Sequence, residues 1–181
     1  RNVWPDNWGP RTEYILRNAA YALLDQREPV SLIAIQKFLT DPEYRAQVFE
    51  RATDPVVQRF RMIYDEEWSE RFRAEATAPL INKVDNFAAN PLLRSVIGQT
   101  KSAFDFRWMM DSGKILLCDL PKGALGEDVS SLLGSLIVTK LSLAALSRQD
   151  VSEDDRRLHL LYADEVQNFT HGMDFATILS E

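Results

Sequence analysis

The chain has 181 residues and a mass of 20.7 kDa, and its 45% hydrophobic and 27% charged residues exclude wholesale disorder. The net charge of −6 falls mainly on residues 101–181, with 8 basic and 13 acidic side chains, which excludes the bulk positive charge typical of nucleic-acid-binding domains. One cysteine, Cys118, excludes an internal disulfide. No apolar run reaches the roughly 18 residues of a membrane span, so no membrane segment is predicted. The start at Arg1 without a methionine suggests an internal fragment of a longer protein.

The first hundred residues predict helices. Three Asx-Pro pairs occur, at Asp41-Pro42, Asp54-Pro55 and Asn90-Pro91. An Asx side chain caps a helix N-terminus, and proline fits the first helical position, so each pair predicts a helix start. We therefore expect residues 1–100 to form an all-helical module.

Two continuous apolar runs follow, at residues 114–120 and 158–165. Continuous apolar character over strand length is typical of a strand buried on both faces of a parallel sheet. A long apolar helix is predicted between them, at residues 126–148. Strand, helix and strand in this order predict a right-handed βαβ unit, so residues 101–181 are expected to form part of an α/β domain.

The second run ends in an acidic pair, Asp164-Glu165. A carboxylate at the carboxyl end of a buried strand can hold Mg²⁺ beside a bound triphosphate, and a second one can orient the attacking water. Two charges at the end of a strand that enters solvent are the alternative interpretation. Asp119 ends the first run in the same way, either as a helix cap or as a second carboxylate beside Asp164 for two-metal phosphoester hydrolysis.

A phosphate-binding P-loop is missing from the sequence. The Gly113-Lys114 pair has Trp108 where the motif needs its first glycine, and Ile115 where it needs serine or threonine. Lys122 precedes a predicted helix in a glycine-containing stretch, where it could contact a DNA phosphate or simply belong to a flexible connection.

Other polar residues carry weaker predictions. Gln167 follows the acidic pair and could contact nucleotide or water, although polar turn residues are also expected after a strand. The two histidines, His159 and His171, are too isolated to predict a zinc site, and their roles stay open.

Four stretches together resemble the HerA/FtsK superfamily of DNA-pumping ATPases, and more narrowly the TraG/TraD-like coupling proteins of conjugative type IV secretion. They are Phe104-Asp105-Phe106-Arg107, residues 113–117, residues 122–128, and Leu161-Tyr162-Ala163-Asp164-Glu165-Val166-Gln167-Asn168-Phe169. The similarity extends over the whole chain, with residues 8–100 similar to the helical module inserted in the motor domain of that group.

The resemblance implies a RecA-like P-loop NTPase fragment carrying a large all-α insertion. Asp164 would hold Mg²⁺ through water beside ATP, Glu165 would act on the hydrolytic water, and Gln167 would assist. It further implies a homo-hexameric motor that threads DNA, contacts relaxosome or secretion proteins, and works in the cytoplasm or at the inner membrane face. The strand and Walker A loop of such a motor would lie before Arg1.

The sequence thus predicts a fragment of an ATP-driven DNA translocase that supplies the Walker B side of hydrolysis and is inactive alone. Two alternatives stay open. One is a Mg²⁺-dependent phosphoesterase using Asp119 and Asp164, and the other is a non-enzymatic helical adaptor.

Overall fold

A computed structural model describes residues 9–166, of which 70% are helical, with no strand and no sheet. The chain divides after Lys101 into two compact units. We call residues 9–101 the first unit and residues 102–166 the second unit, and describe each by itself.

The first unit contains six α-helices and one π-helical segment within its described residues. They are α1 (Pro10–Leu24), α2 (Ala34–Thr40), α3 (Pro42–Arg51), α4 (Pro55–Arg61), the π-helix Met62–Glu67, α5 (Glu70–Ala89) and α6 (Pro91–Ile97). The predicted helical nature of this region is confirmed.

The Asx-Pro starts are confirmed at all three positions. The Asp41 side chain accepts a hydrogen bond from the Tyr44 amide at 3.0 Å and so caps α3. Asp54 caps α4 through the Val56 amide at 2.7 Å, and Asn90 caps α6. Each cap satisfies an amide that the first helical turn leaves without an intrahelical partner.

The core of the first unit is built around a row of aromatic rings. Phe38, Phe49 and Phe60 are buried and contact each other edge to face, with ring centroids 5.2 and 6.1 Å apart. Tyr64 and Trp68 continue the row at 5.1 and 5.6 Å. Helices α1 and α5 close the core with Ile15, Ala19 and Leu80. Such ring pairs add attraction beyond the burial of their area, so this unit has a complete core of its own.

The second unit contains three α-helices within its described residues: α7 (Phe106–Asp111), α8 (Lys122–Leu125) and α9 (Glu127–Ser147). The long helix predicted at residues 126–148 is confirmed by α9. Helix α7 packs on α9 through Met109, Met110, Leu141 and Ala144. Two 3₁₀ turns, Arg148–Asp150 and Glu153–Asp155, follow α9.

The predicted α/β, RecA-like fold is wrong. Residues 114–120 and 158–163 are neither helix nor strand, and most of their apolar side chains face solvent: Ile115, Leu117, Leu158 and Tyr162 are 86%, 89%, 81% and 87% exposed. Leu116 is half-buried against α7 and α9. No βαβ unit is formed by the described residues. A buried strand needs neighbouring strands that accept and donate its backbone hydrogen bonds and layers that cover both of its faces, and the described residues supply neither to these two segments.

Candidate functional site

The acidic doublet occupies a turn at the end of the unpaired segment 158–163. Asp164 and Glu165 are both exposed. Glu165 has a φ of 52°, and it is the one non-glycine residue with positive φ in the described part of the chain. The left-handed region disfavours a residue with a Cβ, and such backbone conformations concentrate at functional sites. The doublet is thus presented to solvent in an unusual conformation.

The other residues predicted for the site do not converge on the doublet as a metal centre. Asp119 is exposed and lies on the other unpaired segment, 114–120. No group of three or more His, Cys, Asp or Glu side chains that could hold a metal ion occurs within residues 9–166. Gln167 and His171 lie outside the described residues, and His159 is half-buried in the segment before the doublet.

Lys122 begins the four-residue helix α8, where it is exposed and forms no ion pair with the described residues. Gly126, at φ 83°, ends α8 and precedes α9, a conformation that glycine adopts without strain. Glu127 and Asp128 stand in the first turn of α9, where acidic side chains complement the helix dipole. A negative first turn makes this end of α9 a poor place for a phosphate.

An open depression of about 490 Å³ lies elsewhere on the second unit, between the start of α7 and the middle of α9. Phe104, Arg107, Lys140 and Leu143 are among the residues that line it. Arg107 is already engaged, since it donates to the Ser147 carbonyl at 2.6 Å and to the carboxylate of Asp150. That hydrogen bond lowers the pKa of Asp150 and raises the pKa of Arg107. Arg107 therefore links α7 to the end of α9 and to the turn that follows it. Its guanidinium group is already engaged and is not available to a ligand.

Arg148 makes a second link between α9 and α7. Its Nε lies 2.8 Å from Asp111 Oδ1, but the N–H is not directed at that oxygen, so the contact is an ion pair without a hydrogen bond. Its Nη2 donates to the Arg157 carbonyl at 2.6 Å. Arg148 thereby holds the start of segment 158–163 against the end of α9.

Sequence reasoning missed a polar cluster in the first unit. The Arg45 side chain is almost fully buried and donates from Nε to Asp65 Oδ1 at 3.0 Å. Arg73 donates to the carbonyls of Tyr64 and Asp65, at 3.1 and 3.0 Å, and both guanidinium groups lie over the Tyr64 ring. The Tyr64 pKa is raised by burial of its hydroxyl, partly offset by these two cations. One signal was present in the sequence: Arg45 lies three and four residues before the apolar Val48 and Phe49, on the buried face of α3.

This cluster stabilises an irregularity in the helix rather than forming a ligand site. The segment Met62–Glu67 is π-helical, and the Trp68 amide donates to the Ile63 carbonyl at 3.1 Å across the wider turn. The two carbonyls that Arg73 contacts lie inside this segment. The arginine therefore satisfies acceptors that a regular helix would use itself.

Comparison of the chain with models of known protein families, with curated proteins and with solved structures finds no significant match. The stretch 127–150, within which α9 lies, is long and apolar enough to cross a membrane by length and composition, and an 18-residue window inside it has a mean hydropathy of 1.7. This is weak evidence, because a core helix of a soluble protein passes the same test.

Proposed function

We propose that the chain is the metal-and-water side of an ATP-driven DNA-translocating motor of the conjugative coupling type. Asp164 holds Mg²⁺ through water, Glu165 activates the hydrolytic water, and Gln167 assists. The proposal rests on one observation: an acidic pair stands exposed at a turn, with Glu165 in the left-handed region, directly after an apolar segment that pairs with no strand among residues 9–166.

The proposed motor also needs groups that bind the phosphates of ATP. Hydrolysis of ATP requires positive charge and backbone amides around the β- and γ-phosphates, and the sequence contains no P-loop. Other polypeptide must therefore supply the phosphate-binding loop, with Mg²⁺ and ATP held between the two parts. We further propose a homo-hexamer around DNA, in the cytoplasm or at the inner membrane face, with relaxosome or secretion proteins as partners.

Lys122 is the proposed DNA contact of this chain. It is exposed and free of ion pairs with the described residues, so its charge is available to a phosphate. A single surface lysine contributes little to affinity, which agrees with the net charge of −6.

The test of the proposal is ATP turnover in the complete motor protein. We expect Glu165→Gln to leave nucleotide binding intact and to lower turnover by about a hundredfold or more, the usual contribution of a general base. Glu153→Gln is the matched control, because Glu153 is an exposed acid on a 3₁₀ turn of the same unit. Unchanged turnover in the Glu165 variant would remove this residue from the mechanism.

The isolated chain gives an independent check. We expect no ATP hydrolysis from the 181 residues, because their sequence contains no phosphate-binding loop. A Mg²⁺-dependent rate that Glu165→Gln abolishes would show that the chain is a complete enzyme and would overturn the division of labour proposed here.

A helical adaptor is the second candidate function, because the first unit has a complete core and contains none of the residues proposed for hydrolysis. Binding of a secretion or relaxosome protein by the chain, with turnover of the complete protein unaffected by Glu165→Gln, would favour it. The phosphoesterase has less support, since the described residues bring no third metal ligand to Asp119 or Asp164.

A further inference from the structure

The segment that precedes the acidic doublet has unused backbone hydrogen-bonding groups. The amides of residues 158–163 donate no hydrogen bond within the part of the chain that the structure describes. Leu158, Leu160, Leu161 and Tyr162 are exposed along it, and His159 and Ala163 are half-buried. Backbone amides without an acceptor, together with exposed apolar side chains, are the features through which an open strand edge pairs with another chain.

Two copies of this segment have complementary side chains when they run antiparallel. The even-numbered positions share one face, and they read Arg156, Leu158, Leu160, Tyr162, Asp164. If two copies run antiparallel with Leu160 opposite Leu160, then Leu158 lies opposite Tyr162 and Arg156 opposite Asp164. Every directly opposed pair on this face is then aliphatic with aliphatic, aliphatic with aromatic, or cation with anion, which are the favourable cross-strand pairs.

The charges at the two ends of the segment favour a second, antiparallel copy of the chain as its partner over an uncharged apolar segment. The segment has Arg156 and Arg157 before it and Asp164 at its end, so it carries positive charge at one end and negative charge at the other. Asp164 forms no ion pair with residues 9–166. Arg156 donates from its Nε to the Val151 carbonyl at 2.8 Å, and after Arg107 its charge also helps to lower the pKa of the Asp150 carboxyl. Only an antiparallel copy places each charged end beside its opposite, twice over, about a two-fold axis.

We propose that the chain forms a symmetric dimer in which the segments 156–164 of two copies pair as antiparallel strands centred on Leu160. This inference does not rest on the proposed function and is an alternative to it at Asp164, because in the dimer that carboxylate pairs with Arg156 of the second copy instead of holding Mg²⁺. It concerns the association of the 181-residue chain with itself, and it leaves the helices of both units as they are.

Sedimentation equilibrium of the 181-residue chain over a wide concentration range tests the dimer. We expect a species of twice 20.7 kDa whose population rises with concentration. Arg156→Asp and Asp164→Arg each turn both symmetry-related ion pairs into like-charge contacts, so each should weaken the dimer by about tenfold or more. Arg51→Asp is the matched control, an exposed arginine of the first unit whose loss should leave association unchanged.

Charge exchange makes the test specific for the antiparallel register. The double variant Arg156→Asp/Asp164→Arg should dimerise like the original chain, and a mixture of the two single variants should form a heterodimer although neither associates alone. Far-UV circular dichroism of each variant checks that helix content is retained. Hydrogen exchange should show amides 158–163 slowing as the concentration rises.

Three results would overturn the proposal. They are a chain that stays monomeric at every concentration, a dimer that the single charge reversals do not weaken, and a double variant or a mixture that does not recover association. A dimer whose protected amides lie outside residues 156–164 would likewise assign the interface to another surface.

Discussion

The two units of this chain differ in how far they bury their apolar side chains. The first unit covers Phe38, Phe60 and Tyr64 completely with its own helices. The second unit has comparably apolar stretches but leaves Leu117 and Tyr162 almost fully exposed. The difference teaches that an apolar run is stabilised only where the local chain provides a second layer to cover it. In the first unit, short capped helices supply that layer from neighbouring sequence. In the second unit, the short helices α7 and α8 pack on α9 and leave segments 114–120 and 158–163 largely uncovered.

The largest expected effect contrasts a buried and an exposed side chain. Phe60→Ala should lower the free energy of unfolding by about 3–5 kcal/mol, because it opens a cavity in the centre of the aromatic row. Leu117→Ala, the control in the second unit, should change it by less than about 0.5 kcal/mol. Urea unfolding followed by circular dichroism measures both. Equal losses would show that segment 114–120 is as well packed as the core of the first unit.

The next effect concerns the ion pair between the buried Arg45 and Asp65 in the first unit. Asp65→Asn removes the charge between Arg45 and Arg73 and leaves the buried Arg45 guanidinium without its anion. We expect a loss of about 2 kcal/mol, below the full value for a buried pair because the Asp65 side chain is 27% exposed. Glu75→Gln, which breaks the exposed pair with Arg71, is the control and should cost less than about 0.5 kcal/mol. If both variants unfold alike, the cluster does not stabilise the π-helical segment.

The smallest expected effect is a pH dependence of the stability that Asp25 gives to the loop between α3 and α4. The Asp25 carboxylate accepts hydrogen bonds from the Asp54 and Thr53 amides, and these hold the pKa of Asp25 below its usual value. Because the folded-state pKa is lowered, the stabilisation is complete above the unfolded-state pKa and is lost as the pH falls through the folded-state value. The melting temperature of Asp25→Asn should therefore lie below that of the original chain at pH 7, and the gap should close in acid.

Glu28→Gln is the control for the pH dependence, because Glu28 is exposed and forms no ion pair with the described residues. Its melting temperature should follow that of the original chain at every pH. A gap for Asp25→Asn that is constant from pH 7 to acid would mean that the carboxylate charge is not what fastens this loop.

Sequence reasoning succeeded where the structure is decided locally. Asp41, Asp54 and Asn90 act within three residues of themselves, so their caps could be predicted from sequence. The strands at residues 114–120 and 158–165 failed because a strand depends on partners that local sequence does not specify. The Arg45–Asp65 pair joins residues 20 apart in sequence, and nothing local marked the two as partners.

In the candidate site too, features set by local sequence could be predicted and features that depend on distant residues could not. The exposed acidic doublet could be identified from its sequence, but its left-handed turn at Glu165 could not. The prediction that Asp119 lies beside Asp164 assumed two adjacent strands, and the described residues form no sheet. The structure shows Asp164 and Glu165 exposed at a turn, and their role in hydrolysis is a proposal.

Hydrogen exchange on the 181-residue chain, at a concentration low enough to keep it monomeric, tests the contrast between the two units most directly. We predict slow exchange for the core amides of α1, α4 and α5, governed by unfolding of the first unit, and nearly unprotected exchange for residues 115–120 and 158–163. Equal, strong protection of those two segments in the monomer would contradict the account, because it would require the hydrogen-bonded strands that the described residues lack.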